Sequence, residues 1–295
     1  MTQQMIFFSS INGEFLSSEE SVEQLLQDRG LAYGHGLFET MALRCGQIPL
    51  LQQHLRRLTA DAPKLGINPS FESVEACVTA FITSLGEKDV KDAVVKVMLT
   101  AGVGGRGYRS PSTVLPHIIC ASSPLVTDLH DQQLNGINLW RCHYQLPLNP
   151  RLAGIKHLNR LDQVLARNEC DTAGYEDGVM FATDGNLIET TCANIFIKTD
   201  EGWLTPALDN AGVNGVMRTL LLETIFPALK LPVSCRAITA NELRCCTEGF
   251  ICNALRGLVP ILSITDSYEQ YNLKMAAGAE TKRLQSHLNN DYVGF

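Results

Sequence analysis

The lysine at position 156 has surroundings that suggest chemistry. Lys156 stands between apolar Ile155 and His157, directly before an amphipathic segment. Burial lowers the pKa of an amine because it disfavours the charged form, and a neutral amine is a nucleophile. From the residues alone, a lysine that extends from a helix start into solvent remains the alternative.

A glycine-rich segment, "GVGGRG" at residues 102–107, is the second candidate. It matches the G-x-G-x-x-G fingerprint of dinucleotide-binding domains, which works because a helix begins inside it and faces the pyrophosphate. Here "YRSPSTVLPH" follows, and its prolines and β-branched residues disfavour a helix. We therefore expect a flexible glycine loop, in which Arg106 and Tyr108 are suited to hold a carboxylate.

The elements that must position these residues are a mixture of strands and helices. Asn12 with Gly13, and Cys45 with Gly46, predict turns within two pairs of short strands. Apolar residues at helical spacing predict helices that include residues 50–66, 159–172 and 216–226. The predicted fold class is α+β, with two mixed α/β domains at residues 1–123 and 124–295, the second of which carries Lys156.

Composition and charge exclude several classes of function. The 295 residues are 45% hydrophobic and 19% charged, as in an ordinary globular protein. A formal net charge of -7 argues against a nucleic-acid partner. We expect neither secretion nor a membrane partner, since the first residues lack a signal pattern and no long apolar window follows. The ten cysteines lack the spacing of a zinc site, so we expect no metal and a cytoplasmic location.

Seven segments together resemble one family. In chain order they are "DRGLAYGHGLFET", "HLRRL", "GGRGY", "NPRLAGIKHLNRLDQVLARNE", "IETTCANIF", "DNAGVNGVMR" and "ICNAL". They are similar to the fold-type IV pyridoxal phosphate enzymes, which include the D-amino acid and branched-chain aminotransferases, over nearly the full chain. The resemblance implies that family's α+β architecture, pyridoxal 5'-phosphate as the cofactor, and a homodimer.

Three of these segments are specific to one branch of the family. "AGIKHLNRL", "AGVNGVMR" and "CNAL" resemble the branch that converts 4-amino-4-deoxychorismate to 4-aminobenzoate and pyruvate for folate biosynthesis. The resemblance therefore implies a lyase that acts on this small molecule. Two alternatives stay open, namely a D-amino acid or branched-chain aminotransferase on the same frame and a noncatalytic anion-binding protein.

The resemblance assigns the covalent attachment of the cofactor to Lys156. A Schiff base needs an amine that can be neutral, and the lysine that the substrate amine later displaces can carry a proton. Glu189 corresponds to the carboxylate that pairs with the pyridine nitrogen and keeps it protonated. The alternative for Glu189 is a glutamate on the surface of a strand.

The phosphate of the cofactor is expected to contact a cation and a helix N-terminus. Arg57 stands at the family's position in "HLRRL", and Arg56, about 100° away around a helix, is the competing choice. The backbone amides of Val216 and Met217 are expected to open a helix whose positive end faces the phosphate. The residues that align with the loop around phosphate and substrate are Asn253 and Ala254.

Substrate contacts are expected from the strand and from the glycine loop. Phe38 and Thr40 lie two apart on a strand and share one face. Thr40 is either a hydroxyl near the leaving enolpyruvyl group or an ordinary strand threonine, and the resemblance implies that Arg106 and Tyr108 face a substrate carboxylate. Two further candidates, which either orient the substrate or flank the helix, are Asn159 and Arg160.

One departure from the family pattern lies in "GHG", at His35. Similar enzymes commonly have an aspartate at this position. We expect His35 to be noncatalytic and to serve a turn or an interface.

Overall fold

The structure is a computed structural model that describes residues 8–15, 25–105, 107–110, 115–125, 129–267, 271–275, 278–292 and 295. Contacts divide the chain into two compact units. Unit 1 contains the described residues up to 125 together with Lys156–Asn159, and unit 2 contains the other described residues. Both units combine helices with a sheet, which confirms the predicted α+β class.

Unit 1 is built on a five-stranded sheet with the order β2-β1-β5-β4-β3. Neighbouring strands in this sheet are antiparallel. The strands are β1 (Phe8–Ile11), β2 (Glu14–Phe15), β3 (Gly36–Leu43), β4 (Ala93–Thr100) and β5 (His117–Ser123). Helices α1 (Arg29–Tyr33), α2 (Leu51–Asp61) and α3 (Phe71–Glu87) accompany them, and a 3-10 turn at Ala62–Leu65 follows α2.

The two predicted strand pairs of unit 1 have different outcomes. The first is present, with left-handed φ angles of 49° at Asn12 and 89° at Gly13, as a tight hairpin requires. The second is reduced to a single bridge between Arg44 and Gln47. Pro49 accounts for the difference because it has no N–H to continue a ladder.

One face of the unit 1 sheet is covered by helices. In β3, Leu37, Met41 and Leu43 are at most 1% exposed, and the strand contacts α2. The residues between them, Phe38 and Thr40, are only partly buried. Because side chains alternate along a strand, Phe38 and Thr40 lie on the face opposite to the helices.

Unit 2 is built on a nine-stranded sheet, in which eight strands follow the order β11-β10-β9-β12-β13-β6-β7-β8 and β14 pairs with β13. The strands are β6 (Ile137–Leu146), β7 (Asp177–Ala182), β8 (Leu187–Thr190), β9 (Asn194–Thr199), β10 (Gly202–Pro206), β11 (Val233–Arg236), β12 (Glu248–Asn253), β13 (Gly257–Asp266) and β14 (Tyr271–Lys274). The helices are α4 (Leu129–Asn135), α5 (Leu161–Ala173), α6 (Val216–Leu220), α7 (Phe226–Ala228), α8 (Ala240–Arg244) and α9 (Ala279–Asp291).

The helices predicted in unit 2 are present with local differences. The helix expected at residues 159–172 is α5, which ends at Gly174 with a left-handed φ of 78°. The helix expected at residues 216–226 is α6, followed by a π-helical turn at Leu221–Ile225. Within the described ranges, every helix is too short or too polar to cross a membrane.

Candidate active site

The segment Lys156–Asn159 runs beside the start of β3. The amide of Phe38 donates to the carbonyl of Lys156 at 3.0 Å, and the amide of Leu158 donates to the carbonyl of Gly36 at 2.9 Å. This backbone pairing groups the segment with unit 1, whereas the sequence had placed Lys156 in the C-terminal domain. The division at residues 123 and 124 stays a prediction.

The two glycines of "GHG" permit this close approach. A Cβ at Gly36 would lie 2.8 Å from Leu158 Cδ1, and a Cβ at Gly34, where φ is 65°, would overlap Asn159 Oδ1. Asn159 Nδ2 donates to the carbonyl of Gly34 at 3.0 Å. Asn159 therefore fixes the chain after Lys156, and its contact with substrate stays a prediction.

The amine of Lys156 lies over an aromatic ring. The side chain is half-buried, and its Nζ is 4.3 Å from the centroid of the Phe38 ring. A ring face attracts an ammonium group, and its apolar body keeps water from one side of the nitrogen. Lys156 thus lies on the face of β3 that Phe38 and Thr40 share, rather than extending into solvent.

A buried carboxylate orients Arg57 on the α2 side of β3. Nε and a terminal nitrogen of Arg57 donate to Glu39 at 2.8 and 2.5 Å, and His54 Nδ1 lies 2.6 Å from the same carboxylate. Burial alone would raise the pKa of Glu39, but the Arg57 charge and the His54 hydrogen bond lower it to about 2. Arg56 is exposed. Of the two arginines, Arg57 is the oriented one, and its contact with a phosphate stays a prediction.

Replacement of Glu39 by glutamine is expected to lower the free energy of unfolding by about 3–5 kcal/mol, because the partly buried Arg57 charge loses its anion. The pKa of Glu39, about 2, lies below its ordinary value of 4.5, so the carboxylate stabilises the folded state. This contribution is complete above pH 4.5 and is lost as the pH falls toward 2. Urea unfolding of both proteins from neutral pH down to about pH 3 measures the loss.

The matched control for that substitution is Glu87→Gln, at the exposed end of α3. It removes the same charge from the surface and is expected to change the free energy of unfolding by less than about 0.5 kcal/mol. Equal stability of Glu39→Gln and the wild type at neutral pH would contradict the role given to Glu39.

Arg29 organises the glycine-rich loop of unit 1. The residue is 3% exposed, and its guanidinium donates to the carbonyls of Gly104, Gly107 and Tyr108 at 3.1, 3.2 and 3.0 Å. A guanidinium has five N–H donors in a fixed fork, so one side chain can satisfy several loop carbonyls. The described residues of the loop form turns and no helix, so they lack the helix N-terminus that the dinucleotide fingerprint needs.

Of the two residues predicted to hold a carboxylate, Tyr108 lies on the described part of this loop. Tyr108 is 88% exposed, and its ring centroid is 5.5 Å from that of Tyr33 in an edge-on arrangement. Arg106 lies outside the described residues. The role of both residues in substrate binding stays a prediction.

His35 connects Arg29, which supports the glycine-rich loop, to the 3-10 turn that follows α2. Arg29 Nε donates to His35 Nδ1 at 3.2 Å, and His35 Nε2 lies 2.8 Å from the carbonyl of Leu65. An Nε2–H tautomer satisfies both contacts, with Nδ1 as the acceptor. The structure thus gives His35 a bridging position within the fold of unit 1.

In unit 2, Glu189 is a buried carboxylate on β8, with 4% of the residue exposed. Its Oε2 accepts from the amide of Val213 at 2.8 Å, and its Oε1 accepts from Gln163 Nε2 at 3.2 Å. Gly212 lies so near that a Cβ there would be 3.3 Å from Oε2. This burial excludes the alternative of a glutamate on a strand surface.

Asn194 holds the loop that leads into α6. Its Oδ1 accepts from the amide of Gly215 at 3.1 Å, and its Nδ2 donates to the carbonyl of Val213 at 2.8 Å. The helix then begins at Val216, so the amides of Val216 and Met217 belong to a first turn whose N–H groups have no partner within the helix. Their contact with a phosphate stays a prediction.

Two other predicted residues of unit 2 make contacts within the fold. Asn253 Oδ1 accepts from the amides of Leu255 and Arg256 at 3.0 and 2.8 Å, which shapes the turn that contains Ala254. Arg160 donates to the carbonyl of Ile155 at 3.1 Å. Burial lowers the pKa of the Arg160 guanidinium, and the charge of Glu189 opposes that shift.

Sequence reasoning missed the residues that support the predicted ones. They are Arg29, Glu39, His54, Gln163, Asp177 and Asn194. Asp177 is fully buried and accepts from the amide of Thr191 at 3.0 Å, next to the turn that follows Glu189. A polar residue directly before an apolar strand, as in "YEDGVMFAT", was the available signal for Asp177.

The chemical groups of the two units suit one kind of cofactor. Unit 1 carries a half-buried amine and an oriented guanidinium, and unit 2 carries a buried carboxylate and a helix N-terminus. Chemical groups of these kinds are suited to an aldehyde, a phosphate and a basic ring nitrogen. Pyridoxal 5'-phosphate has all three, so the residues present fit the cofactor that the resemblance implies.

Comparisons with known proteins agree with the resemblance. The family model described as amino-transferase class IV matches residues 36–264. Aminodeoxychorismate lyase of Vibrio harveyi is 34% identical over 90% of this chain and 95% of that protein. The crystal structure of 4-amino-4-deoxychorismate lyase from Pseudomonas aeruginosa has 35% identity and a TM-score of 0.87 over 97% of this chain and 100% of that chain.

Solved structures with lower sequence identity share the fold of this chain. A hypothetical aminotransferase from Mycobacterium tuberculosis, solved in its PLP-bound form, is 19% identical with a TM-score of 0.79, over 96% of this chain and 99% of that chain. The matched region of the family model includes β3, Lys156 and Glu189. The chain therefore belongs to the class IV aminotransferase family.

Proposed function

We propose that this protein is a pyridoxal phosphate-dependent lyase that converts 4-amino-4-deoxychorismate to 4-aminobenzoate and pyruvate, for folate biosynthesis. The observation that carries the proposal is the position of Lys156, whose carbonyl accepts from Phe38 at 3.0 Å and whose Nζ lies 4.3 Å from the Phe38 ring. The choice of reaction is supported by two relatives, 34% and 35% identical, that are lyases of this substrate by name.

The bound cofactor would supply an aldehyde that condenses with amines and a pyridine ring that accepts an electron pair. Lys156 would hold that aldehyde, and its amine, when neutral and free, would remove the proton from the amine-bearing carbon of the substrate. Glu189 would keep the ring nitrogen protonated. Arg57 and the amides of Val216 and Met217 would bind the phosphate. Expulsion of pyruvate leaves an aromatic ring, and this aromatisation drives the reaction.

The substrate is held by residues of unit 1. We assign the hydroxyl of Thr40 to the leaving enolpyruvyl group, because Thr40 shares a face of β3 with Phe38. Arg106 and Tyr108 are assigned to a substrate carboxylate. Asn253 and the turn after it are assigned to the surroundings of the phosphate.

Incubation of the purified holoenzyme with 4-amino-4-deoxychorismate is expected to release pyruvate and 4-aminobenzoate in equal amounts, without any added keto acid. An aminotransferase would instead need a keto acid as amino-group acceptor and would act on a D-amino acid or a branched-chain amino acid. Turnover only in that second assay would exclude the lyase. A colourless protein that borohydride fails to label would support the anion-binding alternative.

We also propose that the protein is a cytoplasmic homodimer. Unit 1 exposes Leu31, Tyr33, Val103 and Tyr108 at 67%, 38%, 39% and 88%, which favours a second copy as the partner. All ten cysteines are free, which suits a reducing compartment. Light scattering that gave the mass of one chain would contradict the dimer.

A further inference from the structure

A side-chain amide from α5 lies against the carboxylate of Glu189. Gln163 stands in the first turn of α5, and its Nε2 donates to Glu189 Oε1 at 3.2 Å. The other carboxylate oxygen, Oε2, accepts from the amide of Val213 at 2.8 Å. A carboxylate has about four acceptor positions, so Glu189 can accept these two bonds and one from a bound ring N–H.

The oxygen of the Gln163 amide has no hydrogen-bond partner among the described residues, although it is buried. A buried amide oxygen without a donor is unfavourable, and an apolar side chain of the same length would fill the position without that cost. Within the part of the chain that the structure describes, the bond to Glu189 is the one hydrogen bond that this amide makes. Packing therefore does not explain the amide at position 163, whereas a role toward Glu189 does.

The charged groups near Glu189 come from the elements that bond or pair with it. These groups are Arg160 and Asp162 at the start of α5, Asp177 on β7 and the exposed Asp209 in the loop before α6. The charge of Arg160 interacts with Glu189, and Asp177 is occupied by the hydroxyls of Thr190 and Thr191. Arg160 and Gln163 lie three residues apart, which places both on one side of the helix start. A cation and a neutral donor from one helix end thus both favour the ionised form of Glu189.

We propose that Gln163 is a positioning residue that keeps Glu189 ionised and directed at the ring nitrogen of the cofactor, and so keeps that nitrogen protonated. The inference rests on the proposed function, from which it takes the pairing of Glu189 with the ring. A proton shared between a carboxylate and a ring nitrogen stays on the more basic of the two. Donation from Gln163 makes the carboxylate less basic, so the proton remains on the ring.

A pH titration of the visible absorbance of the holoenzyme tests the proposal without substrate. Gln163→Met removes the donor and keeps the length of the side chain, whereas Gln163→Asn keeps the amide but withdraws it by about 1.5 Å, one carbon–carbon bond. In both variants we expect the pH midpoint of the absorbance to rise by about one unit, because a ring that has lost its positive charge holds the remaining proton of the cofactor more tightly.

The matched control is Gln285→Met. Gln285 is also half-buried, and its amide donates to the backbone carbonyls of Gln133 and Leu258 at 2.8 and 2.9 Å. The substitution removes the same chemical group from a structural position of the same unit. It is expected to reduce stability and to leave the pH midpoint of the absorbance unchanged.

A double-mutant cycle distinguishes action through Glu189 from a structural role. Gln163→Met is expected to lower kcat by about tenfold and to leave KM within about threefold, because a hydrogen bond to a charged group is lost. In the Glu189→Gln background the same substitution is expected to change neither kcat nor the midpoint. An unchanged midpoint in both single variants, or equal effects in both backgrounds, would overturn the proposal. If the wild type releases no pyruvate, the proposed function fails, and the titration still tests Gln163.

Discussion

Lys156→Ala is expected to lower kcat by about 10⁴-fold or more and to remove the visible absorbance of the bound cofactor. The variant loses both the covalent attachment and the amine that moves the proton. It is expected to fold normally, because the bond from Phe38 is made to the backbone carbonyl of Lys156 and the substitution leaves that carbonyl in place. Single-turnover assays and an absorbance spectrum of the purified variant measure the two effects.

Two further variants distinguish the chemical role of the Lys156 amine from the effect of its positive charge. Lys156→Arg keeps a positive charge but cannot become neutral, so it is expected to be as inactive as the alanine variant. Lys96→Ala removes a lysine beside the Phe38 ring that Lys156 contacts and is expected to keep the visible absorbance. An alanine variant at position 156 that retains the absorbance would show that another group holds the cofactor.

Glu189→Gln is expected to lower kcat by about 10²-fold or more, because a neutral amide cannot keep the ring nitrogen protonated. The substitution preserves shape and leaves an oxygen to accept from the amide of Val213, now 2.8 Å from the carboxylate. We therefore expect the variant to fold and to retain bound cofactor with a shifted absorbance maximum. Steady-state turnover and the spectrum of the same sample give both results.

A second buried glutamate of unit 2 provides the matched control. Glu248 is 6% exposed and accepts from the amide and the hydroxyl of Thr281 at 2.6 Å each. Glu248→Gln is expected to reduce stability but to leave kcat and the spectrum of the folded protein unchanged. If Glu189→Gln were as active as this control, Glu189 would have only a structural role.

Local sequence patterns predicted where helices and strands occur better than they predicted where the regular hydrogen bonding of these elements is interrupted. The turn at Asn12 and Gly13 followed from residue types that accept a left-handed backbone. The π-helical turn at Leu221–Ile225 did not, since periodicity over one turn cannot distinguish two bonding patterns that differ by one residue. The second strand pair is reduced to one bridge between Arg44 and Gln47, because Pro49 has no N–H with which to continue the ladder that the turn residues predict.

Site residues could be predicted where they belong to a sequence motif. The residues that hold them in place could not be predicted, because they lie far away along the chain. Glu189 was predicted through the family resemblance, but the residues that hold its carboxylate in the structure, Gln163 and Val213, lie 26 and 24 positions away and belong to no local pattern. Arg29 likewise bonds carbonyls 75 to 79 positions away.

The most direct test of the account is to locate the lysine that holds the cofactor. Borohydride reduction of the holoenzyme, followed by proteolysis and mass spectrometry, fixes the cofactor to the amine that carries it. The account predicts the adduct on the peptide that contains Lys156 and none on the peptide that contains Lys96. An adduct on any other lysine, or no adduct on a protein that turns over 4-amino-4-deoxychorismate, would contradict it.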